Sequence, residues 1–254
     1  MINKTAIITG ASSGIGKSCA QRFASEGWNL VLVARRGEKL AQLAREIETE
    51  YKVSVFYLVL DVTTPISGDE LVQFLEVKKI APDLLLNNAG LAAGLSPIQQ
   101  GDVDDWELMI DTNIKGLLYM SRAVSPVFIQ QGSGHIINIG SIAGREAYPN
   151  GNVYVATKFA VDGLTKSMRM DLLPYGIRVS QVAPGAVETE FSMVRFKGDE
   201  KRAKSVYDGF QPLSAADIAD AVFYVANTPK HVNINDLVIM PTAQASATLI
   251  KREN

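Results

Sequence analysis

Cysteine is almost missing from this chain. Cys19 stands alone, so no disulfide can form within it, which fits a reducing, cytoplasmic setting. It falls on the apolar stripe of a predicted helix and reads as core, not nucleophile. Histidine is nearly as scarce. His135 and His231 have no Cys, His or paired carboxylate at ligand spacing, so no metal is expected. Neither sign of charge is in excess: 25 Lys and Arg stand against 27 Asp and Glu, a net charge of -2. That balance argues against nucleic-acid binding as the main task, which needs a basic face. No unbroken apolar run reaches the ~18 residues of a membrane span. Met1 to Thr5 shows no basic-then-apolar leader and runs straight into a strand. No repeat, linker or shift in composition divides residues 1–254, so a single catalytic domain is expected.

What is present is alternation. Continuous apolar runs read as strands at Thr5 to Thr9, Leu30 to Ala34, Val53 to Leu60, Leu84 to Leu86, His135 to Ile139, Arg178 to Val182 and Leu237 to Met240. Between them come segments with apolar residues at helical spacing. Asp104 to Thr112 and Ile114 to Gln131 read as one long helix or two in succession, and Asn152 to Leu173 as another. Strands apolar throughout, separated by helices, predict a doubly wound parallel α/β sheet of Rossmann type. Ligands of such sheets bind at the carboxyl ends of the strands. Gly10, Asn87, Ser141 and Pro184 each follow a strand, so they should gather at one rim. Residues 185–211 are charged and without clear pattern, which suggests a mobile substrate lid.

Two stretches carry chemistry. Gly10-x-x-x-Gly14-x-Gly16 lies between the first strand and the first helix. Glycines there let backbone approach a diphosphate at a helix N-terminus; the plainer reading is a tight turn. An NAD site usually places an acid about 20 residues further on. Here the second strand ends in Ala34-Arg35-Arg36. Guanidinium groups suit a 2′-phosphate, which favours NADP(H) over NAD. The alternative leaves one or both arginines, Arg36 above all, simply solvated. The second stretch is Tyr154-x-x-x-Lys158. One helical turn puts phenol and ammonium on one face, an acid/base pair suited to work near neutral pH.

With TGASSGIG (Thr9–Gly16), Asp61, NNAG (Asn87–Gly90), Asn113, Ser141, Tyr154-x-x-x-Lys158 and Pro184-Gly185 in this order, the chain resembles a short-chain dehydrogenase/reductase over essentially its full length. The resemblance implies a catalytic set of Asn113, Ser141, Tyr154 and Lys158. Tyr154 is the general acid in reduction, and Lys158 binds the nicotinamide ribose and lowers the Tyr154 pKa. Ser141 holds the substrate oxygen, and Asn113 positions a water leading to Lys158. It further implies cofactor contacts from Gly10, Ser12, Gly14, Ile15, Gly16, Arg35, Arg36, Asp61, Val62, Asn87, Ala89, Gly90, Pro184, Gly185, Val187 and Thr189. Ser12 and Arg35 are the expected partners of the 2′-phosphate.

Glu190 to Gly198, His231-Val-Asn-Ile-Asn and Met240-Pro-Thr resemble the branch that acts on 3-hydroxy acids or makes isethionate from sulfoacetaldehyde. The resemblance implies a small anionic carbonyl substrate. Arg195 is its expected anion partner, a lid-surface charge being the alternative, and Tyr148 a further hydrogen-bonding group. Arg145 and Glu146 depart from that branch and are expected to reshape the pocket or to pair with each other. Sulfoacetaldehyde reduction is the leading expectation. A 3-hydroxy acid dehydrogenase and a non-catalytic NADP-binding regulator are the alternatives. Family members pair their long helices between subunits, which implies a homo-oligomer, tetramer or dimer. The tail from Thr242, with Gln244, is expected to reach a neighbouring subunit's pocket.

Overall fold

The apolar runs become buried strands. In the computed structural model, which describes residues 4–253, nine strands form. They are β1 (Thr5–Thr9), β2 (Asn29–Ala34), β3 (Val55–Val59), β4 (Leu84–Asn87), β5 (His135–Ile139), β6 (Arg178–Pro184), β7 (Val187–Glu188), β8 (Leu213–Ser214) and β9 (Asp236–Ile239). Seven make one sheet in the order β3-β2-β1-β4-β5-β6-β9, parallel at every pairing. The expected fold class is therefore observed. Chain order reverses direction between β1 and β4, which is where such a sheet opens a crevice. The lead-in Met1 to Asn3 and the final Asn254 lie outside the described residues.

The helices are α1 (Gly14–Ser25), α2 (Gly37–Tyr51), α3 (Ser67–Lys78), α4 (Val103–Ile110), α5 (Leu117–Gln131), α6 (Asn152–Leu172), α7 (Phe191–Arg195), α8 (Glu200–Ser205) and α9 (Ala215–Ala226). Strand side chains alternate between faces, so each strand feeds two cores. Ala6, Ile8, Leu30 and Leu32 pack with α1, α2 and α9 through Cys19, Leu40 and Val222. Ile7, Val31, Val33 and Leu85 pack with α3, α5 and α6 through Leu71, Val124 and Leu172. On the first face Phe23 meets Trp28 and Phe223 edge-on, with centroids 5.0 and 5.3 Å apart, which joins α1 to α9. Cys19 lies in this core, as its position on the apolar stripe suggests.

One row of the second face is polar. Asn87, Asn138, Gln181 and Asp236 stand side by side on β4, β5, β6 and β9. Asn87 Nδ2 donates to Asn138 Oδ1 at 2.9 Å, and Asn138 Nδ2 donates to Thr165 Oγ1 of α6 at 2.9 Å. Gln181 Nε2 donates to Asp236 at 3.4 Å. Buried amides need such partners, and here their N–H groups find them within the row or on α5 and α6, while Asn87 Oδ1 has none among the described residues.

One sequence expectation is refined and another changes. The stretch 104–131 is α4 and α5 joined by a π-helical turn, Asp111–Gly116, so the chain continues without a break. Residues 185–211, expected to be irregular, contain α7, α8 and the strand β7, which pairs with β8. Among the described residues no helix is long and apolar enough to cross a membrane, and no group of His, Cys, Asp and Glu is arranged to hold a metal.

Candidate active site

The loops after β1, β2, β4, β5 and β6 enclose a cleft of about 610 Å³. Its floor depends on glycine. Gly10 has φ +65°, a conformation that side chains rarely adopt. A β-carbon on Gly16 would sit 2.4 Å from the Gly10 carbonyl oxygen, so only glycine lets α1 start this close to β1. Gly16 thus serves packing and does not line the cleft, whereas Gly10, Ser12, Gly14 and Ile15 do. The donor set suits a dinucleotide with an added phosphate. Bare backbone faces the cleft at a helix N-terminus, the hydroxyls of Ser12 and Ser13 stand beside it, and Arg35 and Arg36 close that end. Asp61, Val62, Ala89, Gly90, Pro184, Gly185, Val187 and Thr189 line the same cleft.

Arg36 departs from the solvated alternative. Its Nε donates to Ser12 Oγ at 3.0 Å, Nη2 to Ser13 Oγ at 2.5 Å and Nη1 to Glu190 Oε2 at 2.9 Å. Arg35, expected to lead, has only Asp61 near it, at 3.8 Å. Asn87 is also placed differently. Its side chain points to Ser121 and Asn138 beneath the sheet rim, away from the cleft, because the polar row claims it. Asn88 takes its place at the cleft wall.

Tyr154 and Lys158 lie together on α6, both buried. Lys158 Nζ donates to the Ile139 carbonyl at 3.0 Å and sits 5.9 Å from the Tyr154 ring centroid. Burial pushes the phenol above its ordinary value; the nearby Tyr148 adds to this, while Ser141 and Arg195 pull it back. Burial also lowers the Lys158 ammonium to about 8. Withdrawal from water is the largest cause of both shifts, and it sets the net direction at Tyr154 against the lowering expected from Lys158. Ser141 stands at the end of β5, where its Oγ accepts from the Ala143 N–H at 3.1 Å. Gly144 follows because a β-carbon there would meet the Lys158 carbonyl at 2.6 Å.

Asn113 is taken up by structure. Its Oδ1 accepts from the Leu91 N–H at 2.9 Å, and its Nδ2 donates to Leu91 O and Thr157 Oγ1 at 2.8 and 3.0 Å. It clamps the loop after β4 to α6 and does not line the cleft. Gly90 fills the space between it and Lys158.

Arg195, at the end of α7, reaches back into the cleft. Its guanidinium carbon lies 5.5 and 5.6 Å from the ring centroids of Tyr148 and Tyr154. Nε donates to Gly94 O at 3.3 Å, while Nη2 is buried with no partner. Tyr148 itself lies over Gly151, where a β-carbon would come within 2.2 Å of the ring.

Arg145 and Glu146 do not pair with each other and do not line the cleft. Arg145 bridges Asp162 on α6 and Asp236 on β9. Glu146 accepts from the Ala247 N–H at 2.8 Å. The tail, expected to reach a neighbour, folds onto this chain's own cleft. Gln244 Oε1 accepts from the Ala186 N–H at 2.8 Å, and Gln244, Ala247 and Ile250 line the wall. Glu190, Phe191 and Tyr207 are cleft residues that the sequence did not single out. Phe191 meets the Tyr154 ring edge-on at 5.6 Å, and the Tyr207 hydroxyl donates to Val187 O at 2.8 Å.

Comparison with known proteins gives one picture. A family model described as short chain dehydrogenase matches residues 4–200. The chain is 45% identical to a sulfoacetaldehyde reductase of Chromohalobacter salexigens over 97% of this chain and 98% of that protein. It is 42% identical to an NADP-dependent 3-hydroxy acid dehydrogenase of Escherichia coli K12, over 96% and 97% of the two chains. A closed form of serine dehydrogenase complexed with NADP+ superimposes with a TM-score of 0.90 at 41% identity, covering 98% of this chain and all of that one.

Proposed function

The chain belongs to the short-chain dehydrogenase family, and from that premise we propose that it is an NADPH-dependent reductase of a short anionic aldehyde, with sulfoacetaldehyde to isethionate as the reading favoured. The observation that carries the anionic part is Arg195: a part-buried guanidinium whose Nη2 is withdrawn from solvent without a partner, set beside the rings of Tyr148 and Tyr154. A buried donor without a partner is costly, and a carboxylate or sulfonate would satisfy it with a charge-assisted bond. The likeness to an enzyme named for sulfoacetaldehyde supports the sulfonate. The likeness to 3-hydroxy acid and serine dehydrogenases supports a carboxylate as the second reading.

The cofactor, when bound, supplies a hydride from its reduced nicotinamide. The residues we assign to hold it are the Gly10–Gly16 turn, Ser12, Arg35 and Arg36 at the phosphate end, and Lys158 at the ribose. Tyr154 donates the proton to the carbonyl oxygen. Burial keeps its phenol protonated at neutral pH, the state a general acid needs. Ser141 shares the carbonyl oxygen and orients it. Lys158 stabilises the phenolate left behind. Asn113 keeps the loop after β4 against α6, which holds Gly90 beside Lys158. Phe191 and Arg195 of α7 close the open side and exclude water.

The deciding experiment follows NADPH absorbance with sulfoacetaldehyde and malonate semialdehyde, and NADP+ reduction with L-serine. Turnover on none of the three would sink the reading. A preference for malonate semialdehyde or serine would transfer the assignment to the carboxylate. We also assign a second copy of this chain to the exposed Leu118 of α5 and Phe159 and Met170 of α6. A monomer in sedimentation would remove that assignment.

A further inference from the structure

The phosphate end of the cleft already contains an anion, and it belongs to the chain. Glu190 stands at the start of α7 and reaches across the cleft mouth to the end of β2. Its Oε2 accepts from Arg36 Nη1 at 2.9 Å, and its Oε1 lies 3.4 Å from Lys39 Nζ. The same guanidinium holds the hydroxyls of Ser12 and Ser13 with its other nitrogens. Two cations thus converge on one carboxylate, and two hydroxyls stand on the other nitrogens of the shared guanidinium. That set of donors is what a phosphate monoester would want.

We propose that Glu190 is an internal counter-anion of the 2′-phosphate site, which the phosphate displaces, so that it sets the balance between phosphorylated and unphosphorylated cofactor. This rests on the functional reading above. A dianionic phosphate on Arg36 and Ser12 would lie against the Glu190 carboxylate, and like charges so close repel. Phosphate and carboxylate therefore compete for one guanidinium. A cofactor without the phosphate leaves the Glu190 pair intact. The rearrangement has a second end: α7, which Glu190 starts, ends in Arg195. Release of Glu190 at the phosphate end frees the segment that carries the substrate's anion partner.

The test measures dissociation constants of NADPH, NADH and 2′,5′-ADP by fluorescence or calorimetry, for the wild type and Glu190→Gln. The pair is half exposed and worth little, so about a threefold tightening of NADPH and 2′,5′-ADP is expected. NADH should stay within about 1.5-fold. In an Arg36→Gln background the effect of Glu190→Gln on 2′,5′-ADP should fall below about 1.5-fold, because the contested guanidinium is gone. Unchanged or weaker 2′,5′-ADP binding in Glu190→Gln, with wild-type NADPH binding intact, overturns the proposal alone. A wild type that binds neither NADPH nor 2′,5′-ADP overturns the functional reading and this proposal with it.

Discussion

Replacing Arg195 by Gln removes the guanidinium beside Tyr154 while the backbone that carries it stays pinned. The Gly94 N–H donates to the Arg195 carbonyl at 3.0 Å, and that bond survives the change. What is lost is a part-buried charge and the unpartnered Nη2, the group proposed to meet the substrate's anion. Hydrogen bonds to charged groups contribute about 1.5–3 kcal/mol. Removing one partner of a buried charge pair costs about 2–5 kcal/mol. A loss of about 3 kcal/mol is therefore expected, roughly 150-fold in kcat/KM for sulfoacetaldehyde. The assay is steady-state NADPH oxidation with sulfoacetaldehyde and, in parallel, with propionaldehyde, which lacks the anion. Propionaldehyde should lose less than about fivefold, since it never used the charge. Equal losses on both aldehydes would show that Arg195 acts by packing against Tyr148 and Tyr154, and the anion argument would fall.

Other variants separate chemistry from architecture. Tyr154→Phe should lose most turnover while NADPH affinity stays at the wild-type value; wild-type turnover would discard Tyr154 as the acid. Lys158→Met should abolish turnover yet stabilise the fold. The buried ammonium is lowered from 10.5 to about 8, which weighs against folding by about 3 kcal/mol at pH 7. Loss of the bond to Ile139 takes back about 1 kcal/mol, leaving about 2 kcal/mol in urea unfolding. Because the folded pKa is the lower one, the unfolded chain holds the extra proton between pH 8 and 10.5. Wild-type stability therefore rises across that window, and the variant's advantage should shrink there; a constant advantage would refute the assignment to Lys158 charge. Arg145→Met should destabilise by about 1–2 kcal/mol with kcat/KM unchanged, since Arg145 joins α6 to β9 outside the cleft. A change in substrate preference would restore it to the pocket.

The sheet was legible because its strands are apolar at consecutive positions, and only a strand covered on both faces tolerates that. The glycine turn and the Tyr154/Lys158 pair were legible for a similar reason: each is local, and its spacing speaks within a few residues. Contacts across the chain were not. Glu190 meets Arg36 from 154 positions away, and nothing in the order of residues links an acid after Thr189 to the end of β2. Gln244 turning back to Ala186 is hidden in the same way. Arg145 beside Glu146 looks like a neighbouring pair, yet each finds a stronger partner elsewhere. Burial is the other quantity that spacing does not carry. The position of Lys158 one turn after Tyr154 suggests a lowered phenol, but how much water reaches the two groups decides the direction.

The polar row on β4, β5, β6 and β9 has a consequence for how the rim is assembled. Strands made of Ile, Leu and Val slide past one another through several nearly equivalent alignments. Three carboxamides and a carboxylate that must meet at a single height leave one alignment favoured. Any slip strands an amide among hydrocarbon, a penalty of a few kcal/mol at each step. Asn87 is the last residue of β4 and Asn138 lies one residue before the end of β5, so the loops bearing Gly90 and Ser141 depart at matching levels. The height of those two loops is thus set by a levelling course one layer below them, made of side chains that do not line the cleft.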